Sequence, residues 1–207
     1  MVAVALGYLS GSLPWGLWIG RVVRGIDLRE HGSKNLGATN AYRVLGPGLG
    51  ILTLVLDVAK GALPVAWIPW WSWMGSFPGG PAWCAVTVGL AAVAGHVWTC
   101  FAGFKGGKGV ATTVGVLLAL SPAAFGVFVV VFVATVALTR YVSLGSILGS
   151  IALVIALAAW EAGGMRSPAF LLGVVLAILV VARHRENLRR LARGEERKFS
   201  FSGGRPS

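Results

Sequence analysis

A chain of 207 residues that is 56% apolar, holds nine tryptophans and has only 12% charged residues cannot stay dispersed in water as a globular domain. Its net charge of +11 is of the sign that nucleic acid attracts. A mean hydropathy of +0.78 points instead to a membrane surface and small anionic molecules, with no nucleic acid.

In chain order, residues 2–19 form the first apolar span, made irregular by Gly7, Gly11, Pro14 and Gly16. No basic residue precedes Arg21, so no cleavable leader is expected. After the polar segment 21–46, span 49–67 carries Asp57 and Lys60. Three positions apart, they share a helical face and can pair, or Lys60 can snorkel to the polar edge. Pro69–Pro81, uncharged and rich in Trp, Gly and Pro, reads as an interfacial loop with aromatic anchors. Span 82–101 holds both cysteines, Cys84 and Cys100, about 24 Å apart along a helix axis and too distant to bridge each other.

Beyond loop 102–109, one apolar run extends from Val110 to Thr139, interrupted by Ser121-Pro122. Divided there into 110–120 and 123–139, and followed by 142–160 and 168–182, the chain has seven spans. Of its 18 basic residues, all but Lys60 and Arg166 then fall on the cytoplasmic side. Undivided, the basic tail 183–207 would lie opposite the other polar segments. The expectation is an all-α integral membrane protein, one domain over 1–207, a seven-helix bundle with N-terminus outside and C-terminus cytoplasmic. Span 110–120 covers only about 17 Å, so it is short, tilted or partly re-entrant.

Three polar segments, 21–46, 102–109 and 183–207, converge on the cytoplasmic face in this topology. In the first, Ser33, Asn35, Thr39 and Asn40 can donate to phosphate oxygens or a carbonyl, and Arg43 can grip a phosphate bidentately. Alternatively, Ser33 or Asn35 caps a short helix running to Leu45. In GFKGGKGVATT (Gly103–Thr113), Gly106, Gly107 and Gly109 would let consecutive N–H groups turn toward one anion. Lys105, Lys108 and the N-terminus of a helix from Val110 add positive charge there. The plainer alternative is a cytoplasmic turn, positive as such turns usually are. The spacing does not fit a Walker A loop.

His31, His96 and His184 have no local ligand pair, so no metal is expected. Hydrogen bonding or proton transfer suits one of them, and His96 can also be a satisfied buried histidine. The tail HRENLRRLARGEERKF reads as an amphipathic helix with a Glu186–Arg190 pair at i,i+4, at home on anionic lipid.

GSKNLGATNAYRVLG (Gly32–Gly46), GHVWTCFAGFKGGKGVAT (Gly95–Thr112) and HRENLRRLARGEERK (His184–Lys198) together resemble the three cytoplasmic motifs of the bacterial acyl-phosphate-dependent glycerol-3-phosphate acyltransferases. The similarity extends to SGSLPWGLWIGR near the start and LDVAKGALPV around Asp57. The resemblance implies an inner-membrane enzyme with its active site at the cytoplasmic face. It would move a fatty acyl group from acyl phosphate to the 1-hydroxyl of sn-glycerol 3-phosphate, giving lysophosphatidate and inorganic phosphate. It places Ser33 and Arg43 in catalytic and phosphate-gripping positions, with Asn35 and Asn40 alongside. Within the second motif, Lys105, Gly106, Gly107, Lys108 and Gly109 would hold glycerol phosphate; His96 and Thr112, beside that loop, are further substrate-binding candidates of this reading and not of the resemblance. His184 and Asn187 would contact acyl phosphate, with Glu196 as a structural or orienting carboxylate; Asp57 and Lys60, from their own pairing rather than from the resemblance, are read as structural support of the site. The mixed anhydride is already activated, so no cofactor is implied. With no Ser-His-carboxylate set in evident spacing, direct attack is expected rather than an acyl-enzyme. Two other classes remain: an organic-phosphate transporter, which would favour midplane sites in repeated halves, and a scaffold that binds anionic lipid through its tail.

Overall fold

The computed structural model describes residues 1–71 and 77–200 and is helical, with no strand among them. Two compact units divide the chain, Met1–Ala119 and the stretch that begins at Leu120.

In the first unit, α1 (Val2–Ser12) and α2 (Trp15–Arg24) form one apolar stretch broken at Leu13-Pro14. Proline lacks an N–H and its ring pushes the preceding residue out of the helical region, so Leu13 takes ψ 111°. At the break the carbonyls accept from side chains: the Thr99 hydroxyl donates to Ser12, and the Lys60 ammonium to Leu13 at 2.7 Å. The stretch runs past the expected end at residue 19, to Arg24. Arg21 and Arg24 sit in its last turn, where cations suit the helix dipole, and Gly25 at φ +64° closes it.

α3 (Ala38–Leu45) ends at Leu45 as expected, but it begins after Gly37, and neither Ser33 nor Asn35 caps it. α4 (Pro47–Trp67) continues into a 3-10 turn, Ile68–Trp70. α5 (Gly80–Val97) is followed by a second such turn, Cys100–Ala102. α1 packs on α5 where Gly7 and Gly11 face the backbone of Val88 and Ala92, and Gly95 faces Tyr8 and Ser12. α6 (Val110–Leu120) stops at Ser121, the expected division.

The second unit holds α7 (Pro122–Thr139), α8 (Val142–Trp160), α9 (Pro168–Arg183) and α10 (Arg185–Ala192). Gly145 and Gly149 of α8 receive Phe132 and Phe128 of α7, whose rings stack at 5.8 Å. The chain bends by 55° between α9 and α10, at His184.

Among the described residues, five helical stretches are long and apolar enough to cross a membrane, and a sixth if α9 and α10 are one bent span. α6, at eleven residues, is a shorter apolar helix. Cys84 and Cys100 are both free thiols. The middle of the Trp-rich loop, 72–76, and the end of the tail, 201–207 with Arg205, lie outside the described residues.

Candidate functional site

The first motif is a loop held together by its own side chains. Asn40, 2% exposed at the start of α3, accepts from the Ser33 N–H at 2.8 Å. Its amide donates to the carbonyls of Leu28, His31 and Asn35 at 3.2, 3.1 and 2.9 Å. Asn35 Oδ1 accepts from the Gly37 N–H at 2.9 Å and closes a turn. Asn40, expected beside substrate, is thus the residue that folds this loop, and the Asn35 carbonyl helps it. Ser33 is exposed on the loop surface, with Thr39 and Arg43 half-buried on α3. Asn40→Ala would leave one N–H and three carbonyls without these bonds, at a cost of about 2–3 kcal/mol. Thermal unfolding in detergent should show a melting point lower by about 4–10 °C.

Sequence reasoning passed over Asp27. Its carboxylate accepts from Arg21 at 2.8 Å, from the Arg29 guanidinium at 2.7–3.2 Å and from the Arg29 N–H at 2.9 Å. The hydrogen bonds from Arg29, aided by Arg21, outweigh burial and hold this carboxyl well below the usual carboxylate range. The signal was there in Asp27 followed two residues later by Arg29, an Asx-turn spacing.

The glycine loop departs from the expected anion nest. The Gly106 and Gly107 N–H groups donate to the carbonyls of Val97 and His96, each at 3.1 Å, so this pair does not cradle an anion. A Cβ on Gly106 would overlap the His96 carbonyl, and one on Gly107 would overlap His96 Nε2. Both glycines are needed for close approach to His96. A left-handed backbone is required instead at Gly103 (φ +64°) and Gly109 (φ +86°), the latter opening α6. Lys105 is exposed and Lys108 half-buried beside them. Thr112 is fully buried, with its backbone against Gly61 of α4, so it belongs to the α4–α6 contact.

Beneath the loop lies the buried ion pair. Lys60 Nζ is 2.8 Å from Asp57 Oδ1, and both side chains are at most 3% exposed, so Lys60 pairs and does not snorkel. His96 Nδ1 lies 3.7 Å from the same carboxylate oxygen. Ser12, Pro14, Leu36, Asp57, Lys60, His96, Thr99, Gly106 and Gly107 line a cavity with room for about one water molecule. His96, expected to touch substrate, is 5% exposed and meets the loop from below. The roles of Ser12 and Thr99 were legible only as a corollary of Pro14: a proline inside an apolar span obliges neighbouring donors to serve the displaced carbonyls.

In the second unit, the third motif is also internally braced. His184, 3% exposed, sits at the α9–α10 bend with Nδ1 2.7 Å from the Val180 carbonyl. A carbonyl only accepts, so the ring proton is on Nδ1 and Nε2 is the basic nitrogen of the neutral ring. Asn187 donates to Glu196 Oε1 at 2.6 Å, Ser143 to the same oxygen at 2.8 Å, and Arg190 to Oε2 at 2.8 Å. Burial raises the Glu196 pKa, but these bonds from Asn187, Arg190 and Ser143 outweigh it and leave the carboxyl below its ordinary range. The expected Glu186–Arg190 pair does not form. Arg190 turns to Glu196, and Glu186 takes Arg189 at 2.9 Å. Further on, the Phe199 N–H donates to the Arg140 carbonyl at 2.7 Å. No three His, Cys, Asp or Glu side chains among the described residues are grouped to hold a metal ion.

The family model for glycerol-3-phosphate acyltransferases matches residues 1–194. A glycerol-3-phosphate acyltransferase of Desulforudis audaxviator is 44% identical over 201 residues, covering 97% of this chain and 96% of the relative. One from Geobacter sulfurreducens is 44% identical over 207 residues, with 96% and 97% covered. Among solved structures, the glycerol 3-phosphate form of the integral membrane glycerol 3-phosphate acyltransferase PlsY superposes with a TM-score of 0.85 at 38% identity. That match covers 96% of this chain and 94% of the other. Its lysophosphatidic acid form gives 0.83 at 36% identity, covering 98% and 96%.

Proposed function

The chain belongs to the glycerol-3-phosphate acyltransferase family, and from that premise we propose that it transfers a fatty acyl group from acyl phosphate to the 1-hydroxyl of sn-glycerol 3-phosphate. The products would be lysophosphatidate and inorganic phosphate. The observation that carries this reading is the match, over 96% of the chain, to a solved acyltransferase in its glycerol 3-phosphate form. Acyl phosphate as donor rests on the resemblance of the three motifs to those of the acyl-phosphate-dependent enzymes; a mixed anhydride is already activated, so with it neither nucleotide, thioester carrier nor metal is demanded.

Arg43 and Ser33 are assigned to a substrate phosphate and to the acyl carbonyl. Lys105, Lys108, Gly109 and the N-terminus of α6 are assigned to the acceptor's phosphate. His184 and Asn187 are assigned to acyl phosphate, Asn187 being oriented by Glu196. The acceptor oxygen attacks the acyl carbon directly and a tetrahedral intermediate forms. It collapses by breaking the bond between the acyl carbon and the phosphate oxygen, and phosphate leaves. The hydroxyl proton passes to His184 Nε2 or to a phosphate oxygen of a bound substrate. The enzyme is read as one membrane domain of seven spans, amino terminus outside, with this chemistry on the cytoplasmic face of the inner membrane.

The test is purified protein given acyl phosphate and glycerol 3-phosphate in the presence of a chelator. Phosphate and lysophosphatidate should appear in equal amounts, and only when both substrates are present. Acylation from a coenzyme A thioester but not from acyl phosphate would overturn the donor assignment. Loss of activity on chelation, restored by zinc, would overturn the metal-free one.

A further inference from the structure

The break in the first span, the buried ion pair and the glycine loop form one line of contacts. Lys60 Nζ reaches the Leu13 carbonyl at 2.7 Å and Asp57 at 2.8 Å. Asp57 Oδ1 faces His96 Nδ1 at 3.7 Å. His96 then meets the loop twice, its carbonyl accepting from the Gly107 N–H and its ring lying against the Gly107 backbone. On the far side of the break, Gly16 of α2 abuts the Leu36 carbonyl in the first motif.

A pair present only to neutralise two charges in an apolar helix would need none of these extra contacts. Two further observations point to a larger role. Lys60 holds a backbone carbonyl displaced by Pro14, and so fixes the break. Asp57 Oδ2 and Ser12 Oγ, both buried, have no hydrogen-bond partner among the described residues and belong to side chains lining the cavity that Gly106 and Gly107 also line.

We propose that Asp57, Lys60 and His96 form a buried hub that positions the glycine loop for the acceptor's phosphate. They are positioning residues, acting through Gly106 and Gly107 and not by touching substrate. The proposal rests on the reading of that loop as the glycerol 3-phosphate site.

The experiment uses the full-length protein purified in detergent, with Asp57 and Lys60 neutralised together as Asp57→Asn/Lys60→Met so that no lone charge remains buried. Hydrogen–deuterium exchange is followed on peptides covering residues 103–109, because the Gly106 and Gly107 amides report directly on loop anchoring. Loop exchange should accelerate about tenfold or more, and the glycerol 3-phosphate KM should rise about tenfold. Both kcat and the acyl phosphate KM should stay within about threefold. Should the double variant not fold, His96→Asn keeps the ion pair, removes the ring from beneath the loop, and is expected to give the same acceleration. Unchanged loop exchange in whichever variant is folded overturns the proposal. Faster exchange with an unchanged glycerol 3-phosphate KM supports the hub and counts against the loop as the acceptor site.

Discussion

Under the proposed reaction, Gly107→Ala is expected to raise the glycerol 3-phosphate KM about tenfold or more, while the KM for the proposed acyl phosphate donor stays within about threefold. The new methyl would be built into His96 Nε2. His96 cannot easily retreat, because it is 5% exposed and has Asp57 on its other side. Overpacking of this kind costs about 1–3 kcal/mol, which is the size of a tenfold to hundredfold change in binding. The loop, pinned to the His96 and Val97 carbonyls, is the part that can shift. Gly103→Ala in the same loop is the control. Its Cβ would meet nothing within 4 Å, so it suffers only the left-handed backbone at φ +64°, about 1 kcal/mol. Steady-state phosphate release with each substrate varied in turn separates the two. A folded Gly107→Ala protein with an unchanged acceptor KM, or a Gly103→Ala variant damaged more severely, would remove His96 as the support of the loop.

The largest structural effect should come from Gly11→Leu, which is expected to abolish recovery of folded protein. At Gly11 even a Cβ would overlap the backbone of Ala92, so a leucine requires α1 and α5 to part along their length. That separation would also pull Ser12 from Thr99, which follows directly on α5. The cost is therefore more than one overpacked side chain, and about 3 kcal/mol is its lower bound. Size-exclusion chromatography in detergent and thermal unfolding check it, with Val130→Leu as the comparison. Val130 is 68% exposed on α7, where an added methylene should change stability by no more than about 0.5 kcal/mol. A monodisperse Gly11→Leu protein with the parental melting point would show that α1 and α5 are not held this closely.

Local pattern explains what could be read in advance. Asp57 and Lys60 pair because three residues on a helix bring two side chains to one face, a rule that needs no tertiary knowledge. The same rule failed in the tail, where Arg190 had a choice. Glu186 lay one turn away, but Glu196 lay buried with Asn187 and Ser143 already bonded to it, and the desolvated carboxylate won. Asn40 was read as a substrate ligand because its side chain can donate and accept. Only the folded loop shows that three carbonyls and an N–H already engage it.

By itself the sequence determined the helical membrane class, the division at Ser121-Pro122, the separate cysteines and the family, because hydropathy, proline and motif order are properties of neighbouring residues. Tertiary structure alone decided that Gly106 and Gly107 give their N–H groups to Val97 and His96, and that Lys60 reaches the Leu13 carbonyl, which Pro14 turns out of the helix. The reason is that a hydrogen-bonding group takes whichever partner packing leaves within about 3 Å, and residues 47 positions apart meet only once the helices are assembled.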